Sequence, residues 1–209
     1  MTALEARRRL LMMADELPGI YRRVEYLESS GTQYIYTDVP AKSGLECVAD
    51  VMWIVGGSTD ACIFGGRLTG SNRIMLVHQY PAQRWTLGYG SSHTDLASFD
   101  YGTKYNVSAK CAVGEQYLKI DGTTIYTGTA QGDINNSFNM GVFACTYSEQ
   151  SVRLFSSARV YTLKAKMDGV DVLNFIPCIR KTDNKPGMYE TVTKTFFTNS
   201  GTGEFIVPS

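Results

Sequence analysis

The sequence predicts an all-β chain, two stacked antiparallel sheets preceded by one short helix, and three observations carry that prediction. From Arg22 onward, apolar and polar residues alternate with a period of two. Runs rich in Gly, Ser, Thr and Asn separate the alternating segments, and the chain holds 20 Gly, 13 Tyr and 9 Phe, a turn-rich and aromatic composition. Helical periodicity is almost confined to the first sixteen residues.

Taken in order, Thr2 and Glu5 make a capping box, in which hydroxyl and carboxylate satisfy free N–H groups at a helix start. Leu4, Leu11 and Ala14 form one apolar stripe and Leu10, Met13 and Leu17 a second, before Pro18-Gly19 stops the helix. About four turns is marginal alone. Residues 1–16 are therefore expected to pack on their own domain, on copies of themselves, or on a larger assembly. Residues 17–209 are expected to form the sandwich. Leu45, Cys47, Ala49, Val51 and Trp53 alternate with Glu46, Val48, Asp50, Met52 and Ile54 in one long strand. Arg73 to Gln79 and Arg84 to Tyr89 are further strands, split by Tyr80-Pro81-Ala82. Between Tyr117 and Tyr126, Asp121-Gly122 calls for a two-residue type I′ hairpin turn, because both turn positions need positive φ. Phe138 to Cys145, Val152 to Lys164 and Val170 to Cys178 complete the set, about a dozen strands with almost no interior helix.

A length of 209 residues suits one sandwich-sized domain with a small appendage. Lys+Arg 20 balances Asp+Glu 20, which argues against a duplex nucleic-acid binder needing a cationic face. No stretch approaches the roughly 20 apolar residues that span a bilayer. The five cysteines, Cys47, Cys62, Cys111, Cys145 and Cys178, are odd in number and contain no CxxC pair. They are expected to be buried free thiols, as in a chain folded in a reducing cytoplasm. The run Leu10 to Ala14 is too short for a signal-peptide core, and Asp15 and Glu16 follow it.

Two segments carry a family resemblance. Leu17-Pro18-Gly19-Ile20-Tyr21-Arg22-Arg23-Val24-Glu25-Tyr26-Leu27-Glu28-Ser29-Ser30-Gly31-Thr32-Gln33-Tyr34-Ile35 opens the domain. Phe175-Ile176-Pro177-Cys178-Ile179-Arg180-Lys181, Gly187-Met188-Tyr189-Glu190 and Phe196 to Phe205 close it. These resemble the ends of laminin-G-like domains found in phage and prophage structural proteins and in gut-bacterial surface proteins. The Asp121-Gly122 hairpin followed by Phe138-Asn139-Met140-Gly141-Val142-Phe143 is similar to the laminin-G core pattern. The resemblance implies a concanavalin A-like jelly-roll sandwich with adjacent terminal segments, serving mostly to bind glycans or other surface ligands or as a structural module. The opening Met1 to Arg9 also resembles the start of prophage-encoded virion proteins.

Sugar binding needs aromatic faces beside amides and hydroxyls, because a pyranose has an apolar C–H face and a polar rim. Tyr80, Gln83, Arg84, Trp85, Tyr89 and His93 offer that mixture, with Trp85 and Tyr89 on one strand face. The competing reading places Trp85 in the core. No metal or other cofactor is called for. Calcium is the open question: Asp133, Asn135 and Asn136, with Asp60 and Asn72 further away, are oxygen-bearing candidates, although turn formation explains the same residues. Glycoside hydrolysis needs two carboxylates across the scissile bond, and the alternating-carboxylate motif of glucanases with this fold is absent. Glu46 and Asp50 share a strand face about 13 Å apart, and Glu25 and Glu28 face opposite ways. His78 reads as a sheet histidine, and His93 as part of a surface loop.

The expected function is thus a non-catalytic phage or prophage virion module that binds cell-surface saccharide or another host-surface component. It would meet other virion proteins, and possible homo-oligomers, through its N-terminal helix, without nucleic-acid contact or membrane insertion. It would fold in the bacterial cytoplasm; a bacterial cell surface is the alternative location. A glycan-degrading depolymerase and a purely structural decoration domain are the alternatives in function.

Overall fold

The computed structural model describes residues 17–55, 59–79, 81–129, 132–148 and 151–208. The expected helix of residues 1–16 lies outside the described residues, among which no helix occurs. The strands are β1 Tyr21–Arg23, β2 Leu27–Ser30, β3 Ile35–Lys42, β4 Leu45–Trp53, β5 Ala61–Thr69 and β6 Asn72–Gln79. There follow β7 Arg84–Tyr89, β8 Ser92–Ser98, β9 Lys104–Ala112, β10 Glu115–Ile120, β11 Thr123–Gly128 and β12 Asn135–Val142. The last six are β13 Cys145–Ser148, β14 Ser151–Arg153, β15 Ser157–Met167, β16 Val170–Arg180, β17 Lys185–Glu190 and β18 Thr195–Thr198.

They form two sheets. The larger runs β11-β10-β9-β4-β15-β16-β17-β18, with β1 on β16 and β2 on β15. The smaller runs β14-β13-β5-β6-β7-β8, with β12 joining β3 and β5. Pairing is antiparallel except where β13 lies parallel to β5. The terminal segments meet: β1 pairs with β16, Glu28 bridges Ile206, and the Ser200 N–H donates to the Tyr34 carbonyl at 2.8 Å.

Period-two patterning decides which face each strand buries. In β4, Leu45, Cys47, Ala49, Val51 and Trp53 are buried, while the residues between them are half-buried or exposed. They meet Ile63, Ile74, Leu76, Trp85, Leu87 and Tyr89 of the smaller sheet in one core. At the β10–β11 hairpin, Asp121 and Gly122 have φ of 49° and 79°, as a type I′ turn requires. Two single strands expected from sequence are broken in two. The segment Phe138 to Cys145 breaks at Phe143, whose φ is 66° and whose N–H donates to the Ile63 carbonyl at 2.8 Å. Val152 to Lys164 breaks at Leu154, with φ of 54°. Each break moves the chain to a new partner strand, from β3 and β5 onto β13's parallel pairing, and from β13 to β15's place beside β4.

Candidate functional site

The two aromatics expected to read sugar lie in the core. Trp85 is 0% exposed, and its ring centroid lies 5.7 Å from Trp53, 5.5 Å from Phe99 and 5.9 Å from Tyr105. Trp85 and Tyr89 share a strand face with Leu87, and that face packs into the main core. Tyr89 is 2% exposed. Its hydroxyl donates to the Gly132 carbonyl at 2.7 Å, so the Ser43 hydroxyl 2.8 Å away donates to it, while Ser43 accepts from the Ile134 N–H at 2.7 Å. Burial pushes the Tyr89 phenol above its ordinary range. Neither ring can stack on a ligand. Gln83 and Arg84 are exposed, Gln83 in a turn with φ of 48°. His93 belongs to β8 opposite Gly88 rather than to a loop. Tyr80 lies outside the described residues.

The calcium candidates do not converge. Asn135 and Asn136 are consecutive on β12, so their side chains take opposite faces, the first exposed and the second buried. Both amide atoms of Asn136 are buried without a partner. Asp133 is exposed, and the nearby Gly132 carbonyl is occupied by Tyr89. No cluster of three His, Cys, Asp or Glu suited to a metal occurs among the described residues.

Carboxylates on the larger sheet serve as structural partners. Glu46 accepts from the Tyr117 hydroxyl at 2.7 Å, and Asp50 accepts from the Asn106 amide at 2.7 Å. Glu28 is paired with Arg159 at 2.5 Å. Glu190, 1% exposed, accepts from the backbone N–H groups of Asn174, Val192 and Thr193 and so fastens the β17–β18 turn. A polar cleft of about 180 Å³ beside that hairpin is lined by Lys185, Thr198, Asn199 and Glu204. It is smaller than the roughly 300 Å³ of an ordinary ligand pocket. Its Asn199 is occupied by Tyr34, Gly201 and Gly203, which makes the cleft a seam between chain ends.

A different surface gathers binding chemistry. On the outer face of the smaller sheet, Cys62, Met75 and Cys145 form a second apolar cluster separate from the main core, with Tyr147 and Leu154 packed against it. Met75 faces Gly65 on β5 and Gly88 on β7. A Cβ on Gly65 would lie 2.8 Å from the Met75 Cβ, and one on Gly88 2.6 Å from the Met75 Cγ. The two glycines thus leave room for the Met75 side chain, which packs against them and is buried. Half-buried Tyr147 stands beside this cluster, with the guanidinium carbon of Arg67 5.5 Å and that of Arg153 5.2 Å from its ring centroid, both within cation–π reach. Arg67 Nη1 also donates to the Tyr147 hydroxyl at 3.5 Å, and burial pushes that phenol upward. Arg73 lies opposite Arg67. Cys62, Met75 and Cys145 are themselves buried, so what this face presents is the half-buried Tyr147 ring with arginine N–H donors beside it, an aromatic face and a polar rim of the kind a pyranose needs.

Sequence reading missed this site. Its residues are scattered over β5, β6, β13 and β14, and β5 carries no alternation because both its faces are buried between Ala61 and Gly66. The local signal was the pair of small-residue gaps, Gly65-Gly66 and Gly88, flanking a strand with Arg73 and Met75 two apart.

No protein family and no curated protein matches the sequence. Solved structures do. A Bacteroides ovatus protein named for a carbohydrate-binding role superposes with a TM-score of 0.63 at 10% identity, over 90% of this chain and 60% of that one. A heptameric SAP-like pentraxin from Limulus polyphemus gives 0.58 at 10% identity, covering 88% and 94%. Trypanosoma rangeli sialidase gives 0.52 at 14% identity over 74% of this chain, which spans 27% of the sialidase. At these identities the likeness establishes the fold, a concanavalin-like β-sandwich, and nothing further.

Proposed function

We propose that the chain is a non-catalytic carbohydrate-recognition module displayed on a phage or prophage particle. The observation that carries the saccharide reading is Tyr147, held at the surface of the smaller sheet between Arg67 and Arg153 beside the Cys62–Met75–Cys145 cluster. A sugar ring laid on Tyr147 meets an aromatic face flanked by the N–H donors of Arg67 and Arg153. The sandwich likeness to a Bacteroides ovatus protein named for carbohydrate binding supports the same reading. The carboxylates of the larger sheet, tied to Tyr117, Asn106 and Arg159, support binding without hydrolysis. Display on a particle rests on the resemblance of the opening and closing segments to virion domains. Five free, buried thiols suit folding in a reducing cytoplasm before release by lysis. Attachment or self-association would run through residues 1–16, and repeated copies would multiply a weak single-site affinity.

The test is a glycan array probed with the wild-type chain and with Tyr147→Ala. A hit that Tyr147→Ala abolishes, with an unchanged melting temperature, supports the module. Release of reducing ends from the bound glycan makes the chain an enzyme instead, and an array without hits leaves a structural decoration domain. Deleting residues 1–16 should change the oligomer mass by light scattering; an unchanged mass removes the attachment role.

A further inference from the structure

The chemistry of the ligand can be read from the arginines of that outer face. Arg153, Tyr147, Arg67 and Arg73 come from β14, β13, β5 and β6, four strands adjacent in the sheet. At about 4.8 Å per strand they form a row roughly 14 Å long. Arg67 and Arg73 are direct cross-strand partners, and like charges so placed cost stability when nothing bridges them. Among the described residues the salt bridges join Lys104 to Asp50, Lys110 to Glu115, Arg159 to Glu28, Lys166 to Asp171 and Arg180 to Asp183. None includes Arg67, Arg73 or Arg153.

Arg73 is 8% exposed, and its Nε and Nη2 donate to the carbonyls of Gly90 and Ser91 at 3.1 and 3.0 Å, which fix the guanidinium in place. Burial and the neighbouring Arg67 charge push it below the usual arginine range. Among the described residues Arg67 makes one long bond, to Tyr147, and its buried Nε has no acceptor. Arg153 is exposed beside the same ring. A chain of zero net charge therefore gathers three cations on one face without a described counter-ion.

We propose that this row binds the anionic groups of an acidic polysaccharide, with carboxylates or sulfates on Arg67, Arg73 and Arg153 and a sugar ring against Tyr147. This rests on the saccharide-recognition reading above. Arg153, exposed, offers a whole guanidinium fork, which matches either oxyanion bidentately as a lysine ammonium does not; Arg67 and Arg73, whose Nε atoms are buried or bonded to backbone, add terminal N–H groups and charge. An anion placed between Arg67 and Arg73 turns their repulsion into attraction on both sides, so the cost of the unliganded face becomes a preference for charged over neutral glycans.

The experiment measures binding of polygalacturonate, dextran sulfate and neutral dextran by biolayer interferometry, between about 50 and about 200 mM salt. It compares the wild-type chain with Arg153→Gln, Arg67→Gln and, on the other sheet, Arg180→Gln. The expected result is binding of an acidic polymer that weakens with salt and falls about tenfold or more in Arg153→Gln and Arg67→Gln. Arg180→Gln stays at the wild-type level and dextran does not bind. The ratio between the two acidic polymers then tells carboxylate from sulfate. Melting temperatures accompany each variant, and because Arg153 is exposed, Arg153→Gln decides the matter if Arg67→Gln unfolds. Equal binding of dextran and the acidic polymers overturns the anionic ligand while leaving saccharide recognition standing. Equal losses in Arg180→Gln overturn it as well, as non-specific charge attraction. No binding by any of the three, together with an empty glycan array, removes both readings.

Discussion

Replacing Trp85 separates a core role from a ligand-reading one. The ring is fully buried and contacts Trp53, Phe99 and Tyr105. Burying an aromatic of this size removes about 150–250 Å² from water, worth roughly 4–6 kcal/mol at about 25 cal/mol per Å². Each of the ring contacts adds about 0.5–1.5 kcal/mol. Against this stands the indole N–H, which is buried without a partner and already costs the folded state about 1–3 kcal/mol. The balance is clearly destabilising, and Trp85→Ala should cost at least about 3 kcal/mol. Trp85→Phe keeps a ring in the stack and removes the unpaired donor, so its loss should stay below about 2 kcal/mol. Urea unfolding followed by far-UV circular dichroism measures both without relying on tryptophan emission. A Trp85→Ala chain that unfolds at the wild-type urea midpoint but no longer binds saccharide would falsify the core assignment and return Trp85 to the binding surface.

Three further outcomes follow from the packing. Gly65→Ala places a Cβ 2.7 Å from the Cys62 Sγ and 2.8 Å from the Met75 Cβ, so it should cost about 1–3 kcal/mol in urea unfolding; a neutral change would mean that the cluster is loosely packed. Glu190→Ala strands the N–H groups of Asn174, Val192 and Thr193 and should cost about 2–4 kcal/mol, with Glu190→Gln losing roughly half of that. Equal stability of all three chains would show that the turn does not depend on the carboxylate. Burial pushes the Cys178 thiol from 9.0 up to about 11 and Cys47 up to about 12. Folded values raised in this way give stability that is fully present below pH 9 and lost as pH rises, because the unfolded chain releases protons that the folded chain retains. Stability should fall by about 1.4 kcal/mol per pH unit for each such thiol above pH 9, and Cys178→Ala should make the decline shallower. The same slope in wild type and variant would rule out a contribution from Cys178.

Much of the fold could be read from the sequence because one face of most strands is buried and the other is not. The alternation in β4 and the Asp121-Gly122 turn are local signals, and they mark the strand and hairpin found. Strands buried on both faces gave no such signal: β5 and β17 pass without alternation. Phe143 and Leu154 read as strand interior in the sequence, since nothing in an apolar residue announces a positive φ imposed by a change of pairing partner. The site was harder still. Trp85 and Tyr89 look like a sugar platform by composition, and parity correctly puts them together, but parity does not say which face is inside. Arg67, Tyr147 and Arg153 are brought together only by the parallel β13–β5 pairing and the β13–β14 hairpin. A separation of about 80 residues between Arg67 and Tyr147 hides that contact from any local reading.

Hydrogen exchange with and without a polysaccharide chosen from the array tests most directly where this sandwich meets its ligand. Recognition on the outer face predicts slowed exchange in β5, β6 and β13, around Arg67, Arg73 and Tyr147, with the turn at Gln83 and Arg84 unchanged. Slowed exchange confined to the Gln83–Arg84 turn, or to the seam lined by Lys185 and Asn199, would contradict it.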